Sequence, residues 1–288
     1  MKDNIALIGK GYWGSKIKKY IPEFFNLKYV VGSNFDKNII WNDKDISSII
    51  IATPIETHYE LAKEALLNNK NVFIEKPLTL KAIESIELIK IANDNSLKLA
   101  VEYTQTFAPS VLKAIEATAL IGEIRYIEMS TKHLGRYMNF DVFWLLASHH
   151  LSMLDMIISL DKLGFKKEEY LYHNNLCTTG AIKFYNSNVT GSIEVSTDYP
   201  NKEMYFNIYG ELGCIMWNST KSKSVKIVLH NKTYAQLPKQ LITDIWEFEY
   251  DELNNLRYSI KYFRDVLNNI VSSNTECALN VTTILEGL

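Results

Sequence analysis

Continuous apolar runs alternate with helix-period stretches through the first third of the chain. Ile5-Ala6-Leu7-Ile8 and Ile49-Ile50-Ile51-Ala52 offer no polar residue to solvent, so they predict strands covered on both faces, as in a parallel sheet. Strands are expected over residues 4–9, 28–33, 46–53, 71–75 and 97–103, with helices near 13–20, 57–69 and 80–94 between them. That alternation predicts βαβ units and helices on both sides of the sheet.

The grammar changes near residues 105–108. Two helices, over 108–120 and 141–160, bracket a strand at 124–132. Strands then follow over 170–178, 181–185, 190–196, 203–209, 214–218 and 225–230, and two helices close the chain over 252–271 and 278–288. Met204-Tyr205-Phe206-Asn207-Ile208-Tyr209 alternates with period two, the mark of an antiparallel sheet with one covered face. The aromatic stretch from Trp246 to Tyr250 reads as an edge or interface strand. The expected architecture is an α/β domain over 1–105 and an α+β domain with a large, mostly antiparallel open sheet over 106–288.

Composition narrows the function classes. A chain of 288 residues has room for two domains. Its 47% hydrophobic and 22% charged residues are those of an ordinary globular protein, and a net charge of −2 argues against nucleic acid or an anionic membrane surface as partner. No apolar run reaches the roughly 18 residues of a membrane helix, and the first residues read as a strand, not as a signal peptide. Cys177, Cys214 and Cys277 are far apart and suggest neither metal binding nor disulfides, so a cytoplasmic location is expected.

Candidate chemistry begins at Gly9-Lys10-Gly11-Tyr12-Trp13-Gly14, a G-x-G-x-x-G run set between a strand and a helix. Gly9 permits a tight turn, Gly11 lets a pyrophosphate approach the backbone, and Gly14 allows close helix–strand packing at a helix N-terminus. This predicts a dinucleotide-binding Rossmann domain. The acidic residue expected at the end of the second strand is missing. The chain there reads Val30-Val31-Gly32-Ser33-Asn34, with Asp36 arriving late. Ser33 suits a ribose hydroxyl or a 2′-phosphate, so NAD and NADP are both open, and the following stretch is too short for a full crossover helix.

Residues 71–80 read Asn-Val-Phe-Ile-Glu-Lys-Pro-Leu-Thr-Leu. With the glycine loop and Ala52-Thr53-Pro54…His58, the chain resembles the glucose–fructose oxidoreductase, inositol dehydrogenase and MocA (Gfo/Idh/MocA) family over nearly its whole length. The resemblance implies that Thr53, Pro54, His58, Glu75 and Lys76 join Gly9, Gly11, Tyr12, Trp13, Gly14 and Ser33 around an NAD or NADP cofactor. It sets Lys76, of the E-K-P motif, beside the nicotinamide and the substrate oxygen.

The family's second catalytic segment carries an aspartate and, four residues later, a histidine on one helix face. Here Trp144-Leu145-Leu146-Ala147-Ser148-His149-His150 resembles its nucleotide-sugar form, with His149 on the histidine position and Leu145 where the aspartate stands. His149 is the expected general base, while His150 is read as exposed or capping. Tyr103, Arg136 and Tyr137 are expected to line the substrate pocket with Lys76 and His149, and no metal is expected. By resemblance the protein is a homodimer or homotetramer that moves a hydride to or from a sugar-like substrate, nucleotide sugars favoured. Leu145 and the missing ribose acid favour the competing reading, a non-catalytic descendant that binds a ligand or serves as a subunit.

Overall fold

The computed structural model describes residues 2–32, 34–135, 140–230 and 242–288. Two compact units make up the chain: Met1–Thr104 with Asn254–Gly287, and Gln105–Leu253.

In the first unit five strands, β1 (Asn4–Ile8), β2 (Asn26–Val31), β3 (Ser48–Ile51), β4 (Asn71–Glu75) and β5 (Leu99–Glu102), form a parallel sheet ordered β2-β1-β3-β4-β5. The central strands are buried almost throughout, which is why their sequences are apolar without alternation. On one face lie α1 (Tyr12–Lys18), α2 (Ile21–Phe24) and α8 (Asn255–Leu267). On the other lie α4 (His58–Leu67), α5 (Ala82–Asp94) and α9 (Thr275–Gly287). Between β2 and β3 the crossover shrinks to one short helix, α3 (Asn38–Trp41), as the brevity of that stretch predicts.

The chain's end departs from the sequence reading, which assigns all of 106–288 to the second domain. Residues 254–287 cluster with the first unit instead. The cause is hydrophobic. Ile260 and Phe263 of α8 complete the core beneath β1, β3, β4 and β5. The Phe263 ring stacks on Phe73 at 4.9 Å between centroids and tilts against Phe25 at 5.8 Å. Asn274, just before α9, bonds both the N–H and the C=O of Val101, holding this tail to the sheet edge.

The second unit is built on eight strands: β6 (Ile124–Leu134), β7 (Gly164–His173), β8 (Leu176–Tyr185), β9 (Thr190–Ser196), β10 (Asp198–Gly210), β11 (Gly213–Asn218), β12 (Val225–His230) and β13 (Ile242–Phe248). Their order is β13-β12-β11-β10-β6-β9-β8-β7, antiparallel except for the β6–β9 pair. The expected strand over 170–178 is really a hairpin. Asn174 and Asn175 both take positive φ, 49° and 64°, the geometry of a two-residue turn whose twist matches its strands. Trp246 lies on β13, the edge strand that its alternation predicts. One face is covered by α6 (Pro109–Glu116), where Trp217 donates to Ser110 Oγ at 2.8 Å.

Candidate functional site

The glycine loop sits where the strand order reverses. From β1 the chain steps outward to β2 and then returns to β3 on the other side, which leaves a crevice at the carboxyl ends of β1 and β3. Gly9 adopts φ +127°, and a Cβ there would lie 2.2 Å from the Ala52 carbonyl oxygen. A Cβ on Gly14 would meet the Gly9 carbonyl oxygen at 2.1 Å. These two glycines are required by backbone approach within the protein. Gly11 differs: no protein atom lies within 4 Å of the Cβ it lacks, and it caps α1 without a side-chain hydrogen bond. A cavity of about 300 Å³, lined by Gly9, Lys10, Gly14, Ser15, Lys18 and Val30, opens beside the loop. Tyr12 and Trp13 are exposed, at 68% and 49%, with their rings edge to face. These residues fit a dinucleotide phosphate, since they present bare backbone and cations without a carboxylate.

After β2 the backbone at Gly32 is open, and Asp36 spends one carboxylate oxygen on the Asn38 N–H at the start of α3. Ser33, Arg136 and Tyr137 lie outside the described residues. Past β3, Thr53 bonds Thr57 at 2.7 Å, oxygen to oxygen. His58 is buried, with ring nitrogens 2.9 Å from the Pro77 carbonyl and 3.0 Å from the Thr53 carbonyl. It joins the loop after β3 to the loop carrying Lys76, which precedes a cis peptide to Pro77. Burial pushes the His58 pKa down against the pull of the two carbonyls, and a neutral ring can donate to one of them at a time.

Lys76 follows the last residue of β4 and is partly accessible. Burial of its ammonium lowers its pKa, while Glu75 and Glu102 pull it back up. Glu75 is 8% exposed and Glu102 only 2%. Both carboxyls are pushed up, by burial first and, for Glu75, by the charge of Glu102 next. The pattern of the chain does not single out Glu102, although a charge closing the run Leu97-Lys98-Leu99-Ala100-Val101 was the available signal. Tyr103, expected at the substrate, is fully buried behind β5.

In the second unit His149 lies on α7 (Ser148–Asp155) and is partly exposed. The expected helix over 141–160 is not uniform. A π turn, Phe143–Ala147, precedes α7, and π turns are frequent at functional positions. Asp141 caps this segment, accepting the Phe143 N–H at 3.0 Å. His150 is neither exposed nor a cap. It is completely buried, Nε2 lies 2.7 Å from Thr131 Oγ1 on β6, and burial takes its pKa down to about 4. Adjacent helix positions diverge by about 100°, so burying His150 turns His149 away from the sheet. Phe143 docks over Gly180 of β8, where a Cβ would sit 2.5 Å from the Phe143 ring. Thr131 and Gly180 thus seat the helix that carries His149, a role that only the fold reveals. Leu145 occupies the π turn and brings no titratable group. Among the described residues, no set of three His, Cys, Asp or Glu is grouped to hold a metal, and no helix is long and apolar enough to cross a membrane.

Comparison with known proteins supplies the context. The model of the oxidoreductase family with an NAD-binding Rossmann fold, Gfo/Idh/MocA, matches residues 18–103. Residues 18–103 are thus similar to the Gfo/Idh/MocA family. The Gfo/Idh/MocA match starts just past the glycine loop and runs to Tyr103, through Glu75-Lys76-Pro77. Inositol 2-dehydrogenase of Rhizobium meliloti is 32% identical over 91 residues, which make up 31% of this chain and 27% of the relative. The first curated relatives are matched over only 24–28% of their length. The whole chain shares its fold with solved structures. UDP-N-acetylglucosamine 3-dehydrogenase GnnA of Acidithiobacillus ferrooxidans superposes with a TM-score of 0.85 at 16% identity, covering 99% of this chain and 96% of that one. GenD2 from gentamicin A biosynthesis, in complex with NAD, gives 0.82 at 16% identity, with 99% and 92% covered.

Proposed function

We propose that the protein is an NAD- or NADP-dependent oxidoreductase acting on a hydroxyl or carbonyl carbon of a sugar-like substrate, a nucleotide sugar first among candidates. The observation that carries this reading is Gly11. It is bare toward open space, caps a helix, and lies at the switch point of a parallel sheet, where the fold itself has no use for a glycine. Relatives named for inositol and for UDP-N-acetylglucosamine support the sugar class.

In this reading the glycine loop holds the pyrophosphate, and Thr53, Pro54, Glu75 and the His58-braced loop shape the wall around the nicotinamide. When bound, that ring accepts or gives the hydride. The chain's own task is the accompanying proton. Lys76, its pKa lowered by burial, is suited to hold or release a proton at Nζ. His149, partly exposed, is the second proton-transfer candidate, acting without the usual carboxylate because Leu145 stands in that place. Arg136 and Tyr137 remain proposed substrate contacts, while the buried Tyr103 is withdrawn from that role.

The test follows nicotinamide absorbance with each cofactor against a panel of nucleotide sugars, free sugars and cyclitols. Turnover is expected with at least one member. Lys76→Ala and His149→Ala are each expected to lower kcat/KM by about 10²–10⁴-fold with cofactor affinity changed only a few-fold. Near-normal rates in both variants would defeat the assignment. Leu145 supports a second reading, a ligand-binding descendant without catalysis, which predicts cofactor binding and no turnover across the panel.

A further inference from the structure

Glu75 and Glu102 are register partners on the adjacent parallel strands β4 and β5. Directly paired residues on neighbouring strands project to the same face, with backbones about 4.8 Å apart. Both side chains are buried, at 8% and 2% exposure. Each has one carboxyl oxygen, Oε1, that is buried without a hydrogen-bond partner, while Thr104 Oγ1 donates to Glu102 Oε2 at 2.8 Å. Two ionised carboxylates side by side in a dry interior repel each other and leave two orphan acceptors. A single proton held by the pair removes the repulsion between two buried anions.

We propose that Glu75 and Glu102 share one proton, and that Glu102 is thereby a positioning residue for Lys76, fixing the number of protons on which the lysine can draw. Lys76 lies within electrostatic reach of both carboxyls, and its charge also helps to lower the pKa of buried His58. From α8 the approaching group is the uncharged Ser259. Lys76 as ammonium with one proton on the pair gives a trio of zero net charge, and so does a neutral Lys76 with both carboxyls protonated. One proton therefore moves between lysine and pair without creating buried charge, and the raised carboxyls and lowered lysine agree with this. The role of Lys76 rests on the hydride-transfer reading above. In alcohol oxidation the Lys76 Nζ–H bond breaks and an O–H bond forms on the ionised carboxylate. The freed amine then takes the alcohol's proton; a bound nicotinamide would supply the hydride acceptor.

The test is a pH titration of the full-length protein carrying ¹³C at glutamate side-chain carboxyls, followed by NMR without substrate. Wild type is expected to show one protonated carboxyl persisting through about pH 7, far above the ordinary value of about 4.3. Glu102→Gln is isosteric and is expected to remove that signal, because Glu75 then ionises against Lys76. Ionisation of every glutamate by about pH 6 in wild type would overturn the pair, and that result needs no variant to fold. Survival of the protonated signal in Glu102→Gln would also overturn it, since burial alone would then hold the proton. Where turnover is found, Glu102→Gln is expected to move the pH midpoint of kcat/KM by about one unit with cofactor Kd unchanged; an unmoved midpoint would overturn the positioning role. A shared proton in a protein that turns over no substrate upholds the pair and defeats the proposed reaction instead.

Discussion

A histidine sealed inside an apolar unit cannot take up a proton without carrying charge into a place that water does not reach. His150 is in this position, with Thr131 as partner and a pKa taken down to about 4 by burial. Its folded-state value lies below the ordinary value of about 6.5, so the unfolded chain binds the proton first. The stabilisation is present above about pH 6.5 and is lost as pH falls toward 4, a change of roughly 3 kcal/mol for a shift of this size. Thermal unfolding of wild type and His150→Gln across this window should therefore converge in acid and separate near neutrality. Parallel curves would show that His150 is not held neutral. The raised carboxyls of Glu75 and Glu102 bias stability the opposite way, downward as pH rises above about 4.3, so the variant-minus-wild-type difference is the quantity to read. At this scale the sequence names Lys76, His149 and the glycines through local motifs. It misreads His150, since two adjacent histidines on a helix carry no mark of which one faces the sheet. Glu102 escapes as well, because its meaning comes from a strand partner 27 positions away in the chain.

Elements are legible where burial is uniform and less so where it alternates or depends on distant parts. The buried strands β1, β3, β4 and β5 announce themselves as apolar runs, whereas β2, at the sheet edge, alternates in exposure. Two features of the second unit do not. The Asn174–Asn175 turn lacks the glycine that usually flags a tight hairpin, and the π turn before α7 leaves no periodic signature that differs from an ordinary helix. Helix α8 is plainly amphipathic in sequence, but which sheet its apolar face covers is a tertiary fact. Phe263 supplies the test, lying fully buried against Phe25 and Phe73. Phe263→Ala is expected to cost about 3–5 kcal/mol in the first unit's unfolding, measured by denaturant titration. A loss below about 1 kcal/mol would mean that α8 is not part of that core.

On the scale of the whole molecule, a Rossmann unit completed by the chain's own C-terminal helices accompanies a unit built on an eight-stranded sheet. The two-unit plan is legible from the change of grammar near residue 105, but the return of the chain to its first unit is not. The match of residues 18–103 to a family with an NAD-binding Rossmann fold points to dinucleotide chemistry, and Gly11 is where the proposed function meets a single residue. The most direct measurement is calorimetric titration of the purified protein with NADH and, separately, NADPH, repeated with Gly11→Val. Saturable binding of at least one cofactor at micromolar Kd is expected. Gly11→Ala should melt within a few degrees of wild type, because no protein atom lies within 4 Å of the Cβ it adds, and Gly11→Val should lose at least about tenfold in affinity, near 1.4 kcal/mol. Absence of binding by wild type to either cofactor, or undiminished binding by Gly11→Val, would contradict the account.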